Sequence, residues 1–298
     1  MTSGNPPWYE IDENGQIMVL EVPSPLKSHP EVIRRGLEPT DPWKVGVVYS
    51  TSMLKEPLYY IKILDTDTEE AAIFQQLSRQ VDTRNHTIPG ELTPPETGHP
   101  LLITPAMSDF SALVGLKKSV THTLSMFLQL VEGIEYMHDL RITHMDICPG
   151  NVLVADPQID RRYPGVEPGK VYLIDFGSSL QLPLGPGSQH AITLPPSQFR
   201  PENGITCFDP YSWDVYCAAL TMQQTLKTCY RNDPPRIACL YADWLKGKER
   251  GCKTVCHCRP TARRARQVLT GVLWLVRAWE QVKNVLYILK SSLSPPSS

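Results

Sequence analysis

Three short segments carry residue types that chemistry could use. Thr143-His144-Met145-Asp146-Ile147-Cys148-Pro149-Gly150-Asn151 sets a carboxylate ahead of a carboxamide, Ile174-Asp175-Phe176-Gly177 adds a second carboxylate, and Tyr60-Ile61-Lys62-Ile63 carries an ammonium on an apolar run. Phosphoryl transfer needs a carboxylate near an acceptor hydroxyl, oxygen ligands for a magnesium ion that bridges phosphates, and a cation on the phosphates that stay behind. Asp146 suits the first task, Asn151 with Asp175 the second, and Lys62 the third. A lysine whose stem merely covers a half-buried strand is the plainer reading of Lys62.

Those residues must be positioned by the elements between them. Residues 45–49 and 58–64 are β-branched and aromatic runs separated by a polar turn, the pattern of a hairpin. A helix is expected over 68–77, started by Asp67 or Thr68, then a Pro-containing loop and a strand at 101–104. Val120, Leu124, Phe127, Leu128, Val131, Ile134 and Met137 recur at three- and four-residue steps, which predicts a long helix over 119–140. The runs 151–154 and 171–174 read as a second hairpin around an inserted loop. A proline-rich stretch over 182–201 precedes an apolar helix from Trp213, and two closing helices are expected over 262–278 and 282–289. Strands early and helices late point to an α+β chain in two lobes. The expected division is an irregular arm over 1–42 with one strand candidate at 17–20, a small β-rich lobe over 43–107, a mainly helical lobe over 108–290 and a disordered tail over 291–298.

In this order, after a long helix, the His-Met-Asp…Asn loop and the Asp-Phe-Gly triplet resemble the protein kinases, and the resemblance runs over roughly residues 43–279. It implies a two-lobed protein-kinase-like fold using ATP and Mg2+, with Asp146 as catalytic base and Asn151 and Asp175 as metal ligands. It also implies Glu70 as the ion-pair partner of Lys62, although the short link leaves Glu69 open. Thr104 would lie at the back of an adenine pocket, whose edge would meet backbone groups of Pro105 and Met107. Asp209-Pro210-Tyr211-Ser212-Trp213-Asp214-Val215-Tyr216 resembles the kinase segment in which an aspartate braces the catalytic loop, with a plain helix cap as the alternative for Asp214. Arg259-Pro260-Thr261-Ala262 resembles the start of a late helix in kinase C-lobes. Together with Asn85-His86-Thr87-Ile88-Pro89 and Asp146-Ile147-Cys148-Pro149-Gly150-Asn151, these strings most resemble the protein-kinase-like domains of filamentous fungi.

The chain also departs from that pattern. Gly46 stands alone where a Gly-x-Gly-x-x-Gly run would precede Lys62, Met145 replaces an arginine, Cys148 stands where a lysine is usual, and Pro195-Pro196-Ser197 lacks a carboxylate that Glu202 would have to replace. The implied function is ATP- and magnesium-dependent transfer to Ser or Thr hydroxyls of a protein substrate. A pseudokinase scaffold and a small-molecule phosphotransferase are the alternatives.

Composition narrows the partners. Twenty-nine Lys and Arg against 31 Asp and Glu in 298 residues give no electrostatic case for nucleic acid or an anionic membrane. The N-terminus lacks the pattern of a secretory signal, and no apolar run is long enough to span a bilayer, so an intracellular location, cytoplasmic or nuclear, is expected. Eight scattered cysteines suit a reducing compartment. Cys252, Cys256, His257 and Cys258 offer a zinc set, but crowded spacing favours an unliganded loop. The oligomeric state has no signal here.

Overall fold

The computed structural model describes residues 6–116, 119–156, 163–201, 205–231, 233–248 and 254–293. Two short helices open the chain, α1 (Ser24–Lys27) and α2 (Pro30–Arg34). Strands β1 (Pro39–Lys44), β2 (Val48–Thr51), β3 (Tyr59–Ile63), β4 (Glu91–Leu92) and β5 (Leu101–Pro105) form one sheet in the order β1-β2-β3-β5-β4, crossed by α3 (Glu70–Ser78). The expected hairpin is present: β2 and β3 pair antiparallel with Val48 opposite Lys62 and Ser50 opposite Tyr60.

The first forty residues differ from expectation. Residues 17–20 form no strand; Ile17 makes one isolated bridge to Ile11 and the run is exposed. Instead Trp8, Val22, Leu26 and Val32 join Tyr49, Ile61, Ile63, Leu101 and Ile103 in a small core on one face of the sheet. A fully buried aliphatic side chain contributes about 1.5–3 kcal/mol, so the arm is docked by its own apolar residues. Alternation along β3 then turns Tyr60 and Lys62 to the opposite face.

The second half is helical around a larger core. After β6 (Ser108–Asp109) come α4 (Phe110–Leu116), α5 (Val120–Asp139) and β7 (Ile142–Thr143). Ser119 caps α5 by accepting from the His122 amide, and the predicted apolar face is buried. β8 (Val152–Val154) and β9 (Val171–Leu173) make the second hairpin, joined at its edge by β6. Small pairs follow, β10 (Leu180–Gln181) with β7 and β11 (Ile192–Thr193) with β12 (Cys207–Phe208).

Helices α6 (Pro210–Tyr230), α7 (Arg236–Lys246) and α8 (Ala262–Leu293) complete the chain. Asp209 caps α6 through the Tyr211 and Ser212 amides, with Pro210 in the first turn where its missing N–H costs nothing. The two expected closing helices are one: Trp279, Glu280 and Gln281 between them continue the helix, and Glu280 accepts from Thr121 Oγ1 of α5 at 2.6 Å. Residues 291–293, expected in a disordered tail, end that helix, and 294–298 lie outside the described residues.

Candidate active site

Lys62 is the last residue but one of β3, next to Ile63, and α3 begins so that Glu70 lies in its first turn. Lys62 Nζ donates to Glu70 Oε1 at 2.6 Å and to Asp175 Oδ1 at 2.5 Å. The short link therefore suffices, and Glu69 has another role, accepting the Gln181 amide at 2.8 Å. Glu70 Oε1 also accepts the Phe176 amide at 3.1 Å, so one carboxylate ties the strand lysine to the segment after β9. Phe176 is buried between Phe74 of α3 and His144, which turns Asp175 toward Lys62.

Burial alone would depress the Lys62 ammonium, but Glu70 and Asp175 outweigh it and hold its pKa above the usual lysine value. Burial opposes ionisation of Asp175 too. Lys62, with a smaller part from His144, prevails and lowers it. Asp175 sits at φ +61°, in the left-handed region that costs an L-residue energy.

Asp146 lies in a loop whose backbone is held from below. Asp214 Oδ2 accepts the His144 amide and Asp214 Oδ1 accepts the Met145 amide, both at 2.8 Å, and His138 Nε2 approaches Oδ2 at 3.0 Å. Trp213 Nε1 donates to the Met145 carbonyl at 2.9 Å. Asp214 is thus a brace under the loop, while the cap of α6 is Asp209. Met145 is fully buried at φ +67°, filling the place read as an arginine position with apolar volume. His144 Nε2 donates to the Ile174 carbonyl at 2.9 Å, and its Nδ1 accepts the Asp146 amide at 3.3 Å.

Asn151 Nδ2 donates to the Asp146 carbonyl at 2.8 Å and to Asp146 Oδ2 at 3.1 Å, leaving its amide oxygen for another partner. On the other oxygen of Asp146 come two unexpected contacts. Ser197 Oγ donates to Oδ1 at 2.9 Å and the Gln198 amide does so at 2.7 Å. No local pattern ties residues 197 and 198 to Asp146.

A cavity of about 570 Å³ lies between the lobes, with Val48, Leu102, Met107, Leu153 and Ile174 on its apolar walls and Lys62, Asn151 and Asp175 at its polar end. Thr104 also lines it. Strand alternation turns the Pro105 side chain to the other face, where it lines a separate cavity with Tyr59 and Tyr163, so only its backbone is placed to face the cleft, as expected of it. A second cavity of about 510 Å³ shares Lys62 and Asp175 and is bordered by Asp146, Pro196, Ser197 and Gln198.

This donor set fits a magnesium nucleotide. A flat apolar ring suits one end, and a carboxylate, an amide oxygen and an ammonium suit an anionic, metal-bearing chain at the other.

Other expectations resolve differently. Gly46, at φ +75°, is needed by the arm: a Cβ there would lie 2.6 Å from Tyr9 Cε1 and 3.0 Å from the Trp8 carbonyl. Cys148 is buried, and burial, with Asp146 adding to it, pushes its thiol up to about 11. Arg259 stacks over Phe208 and Tyr216 at 5.0 and 4.7 Å and donates to the Lys246 carbonyl. Glu202 and Cys252 lie outside the described residues, and among those described no group of three or more His, Cys, Asp or Glu side chains is placed to hold a metal ion, Cys256, His257 and Cys258 included. Among the described residues no helix is long and apolar enough to cross a membrane.

The fold, with a β-rich and a helical lobe on either side of this cleft, is α+β and protein-kinase-like. Comparison with known proteins agrees: residues 115–195 match the family described as protein kinase domain. The chain is 27% identical over 125 residues to serine/threonine-protein kinase stk11 of Xenopus laevis, covering 41% of this chain and 26% of that protein. It is 29% identical over 109 residues to serine/threonine-protein kinase CAK1 of Saccharomyces cerevisiae, covering 37% and 27% respectively. To serine/threonine-protein kinase par-4 of Caenorhabditis elegans it is 30% identical over 123 residues, covering 39% and 18%. The matched stretch thus spans about a quarter or less of each of these relatives, and together these likenesses support the protein kinase superfamily.

Proposed function

We propose that the chain is an ATP- and magnesium-dependent protein kinase acting on Ser or Thr hydroxyls. The observation that carries this reading is the Lys62 ammonium bridging Glu70 and Asp175 at the polar end of a cleft that also holds Asn151 and borders Asp146. Bound ATP would supply the γ-phosphoryl group, and magnesium would offset the charge of its phosphates. Asp175 and the Asn151 amide oxygen would hold the metal, and Lys62 would take the phosphates that remain. Thr104 and the backbone at Met107 frame the base, with Pro105 contributing at most its carbonyl. Asp146 orients the acceptor hydroxyl and takes its proton. The acceptor is a protein, by analogy with the relatives' names, and an intracellular location goes with it. The finer assignment, to the protein-kinase-like domains of filamentous fungi, rests on the motif strings alone.

A second reading, a pseudokinase scaffold, is favoured by Cys148, whose buried neutral thiol offers no cation to a transferring phosphoryl group, and by Gly46, which is taken up by the arm. Transfer from labelled ATP with magnesium to a generic protein substrate separates the two. Incorporation that Asp146→Asn and Asp175→Ala both abolish establishes the kinase; none in the wild type, across several acceptors and metals, establishes the scaffold.

A further inference from the structure

The Asp146 carboxylate does not face open solvent on its acceptor side. Ser197 Oγ donates to Oδ1 at 2.9 Å, within the span over which a general base takes a proton from a hydroxyl. The Gln198 amide shares that oxygen at 2.7 Å, and Ser178 Oγ holds the Pro196 carbonyl at 3.1 Å. Two consecutive prolines, Pro195 and Pro196, lead into Ser197, so the approach is stiff and little chain entropy is lost in presenting the hydroxyl. Just upstream, β11 is pinned to β12 by Ile192 opposite Phe208, and the Leu194 amide donates to the Thr206 carbonyl at 3.0 Å. Ser197 is thus delivered by an anchored strand, and the cavity it borders also holds Lys62 and Asp175.

From this we infer that Ser197 is a phosphorylation site served by the chain's own Asp146 in cis, an inference that rests on the kinase reading above. Ser197 Oγ forms the new bond to the γ-phosphorus of ATP as the bond from that phosphorus to the β,γ-bridging oxygen breaks. ADP leaves with the electron pair of the broken bond, and the hydroxyl proton passes to Asp146. The product is a phosphoserine of charge near −2 facing Asp146 and Asp175, whose repulsion drives residues 196–198 off the Asp146 carboxylate.

The test uses the full chain, freed of phosphate by a phosphatase that is then removed. With labelled ATP and magnesium, phosphate should appear at Ser197 by peptide mapping, at a rate per molecule unchanged over a hundredfold dilution, and Asp146→Asn should abolish it. Without nucleotide, the Gln198 amide should exchange its hydrogen slowly, and at least tenfold faster in Asp146→Ala. Transfer to a generic substrate with none to Ser197 overturns this inference and leaves the kinase reading standing. A specific rate that rises with protein concentration overturns the cis route, as does free exchange of the Gln198 amide in the wild type. No transfer to any acceptor overturns both readings together.

Discussion

Asp214 holds the Met145 amide at 2.8 Å, and Met145 is the residue whose φ of +67° turns the chain into Asp146. A strained backbone of this kind persists only where its surroundings over-determine it. Asp214 supplies that constraint from the first turns of α6, fully buried and hydrogen-bonded on both oxygens.

Replacing Asp214 by Ala should therefore leave two buried amides unpaired. The expected loss is about 3 kcal/mol of unfolding free energy, with phosphate transfer falling at least tenfold. Urea unfolding measures the first. A loss under about 1 kcal/mol would mean that Trp213 alone supports the loop.

Lys62→Met should strand Glu70, which is almost wholly buried, costing about 3 kcal/mol. The double variant Lys62→Met, Glu70→Leu should recover a good part of that loss, since an apolar pair of similar volume needs no partner. Additive losses in the cycle would contradict the coupling. Because the Lys62 pKa is raised, its stabilisation is present below the ordinary lysine value and is lost as pH rises through the folded one. The lowered Asp175 contributes above its ordinary value, and that contribution is lost as pH falls.

His86 adds to the acid-side loss. Burial holds its pKa down at about 4, against the Val171 carbonyl that accepts from Nδ1 at 2.6 Å; Lys170 lowers it further and Glu167 raises it, and the Glu132 carboxylate lies 4.0 Å from Nε2. A lowered histidine contributes stability above its unfolded value of 6.5, and this is lost as pH falls toward about 4. The loss is at most about 3 kcal/mol. Thermal unfolding should show that slope, and His86→Gln should flatten it; an unchanged slope would assign acid sensitivity elsewhere.

Gly46→Ala should undock the arm, since a Cβ meets Tyr9 at 2.6 Å at a positive φ. An expected cost of about 2 kcal/mol combines the backbone strain with the overpacking. Tryptophan fluorescence is the probe, because Trp8 is buried against His99 in the folded state. No spectral change would show that the arm stays docked.

Much of the cleft was legible because its parts are short and locally coded: β3 alternates, α5 keeps a helical period, and the loop and triplet flank a hairpin whose runs are apolar. The arm was not, because Trp8, Val22, Leu26 and Val32 are scattered among prolines with no period to read. Nor was the role of His86. Its carbonyl accepts the Leu173 amide at 2.7 Å, so the segment before Ile88 clamps the strand that leads to Asp175, a long-range contact invisible in composition. The alternation that aims Lys62 at the cleft also aims the Thr104 side chain there and the Pro105 ring away, so position 105 can offer the cleft only its backbone. Ser197 reaches Asp146 across 51 positions of chain, and only the folded arrangement brings them together.

The single glycine between β1 and β2 is fitted to an aromatic ring and a backbone carbonyl of the arm. That turn and that arm are consequently one inherited part. A hairpin transplanted from a glycine-rich relative would arrive without its seat for Tyr9, and the arm, deprived of its turn, would expose Trp8 and Leu26 to water. Grafting here has to move both pieces or neither.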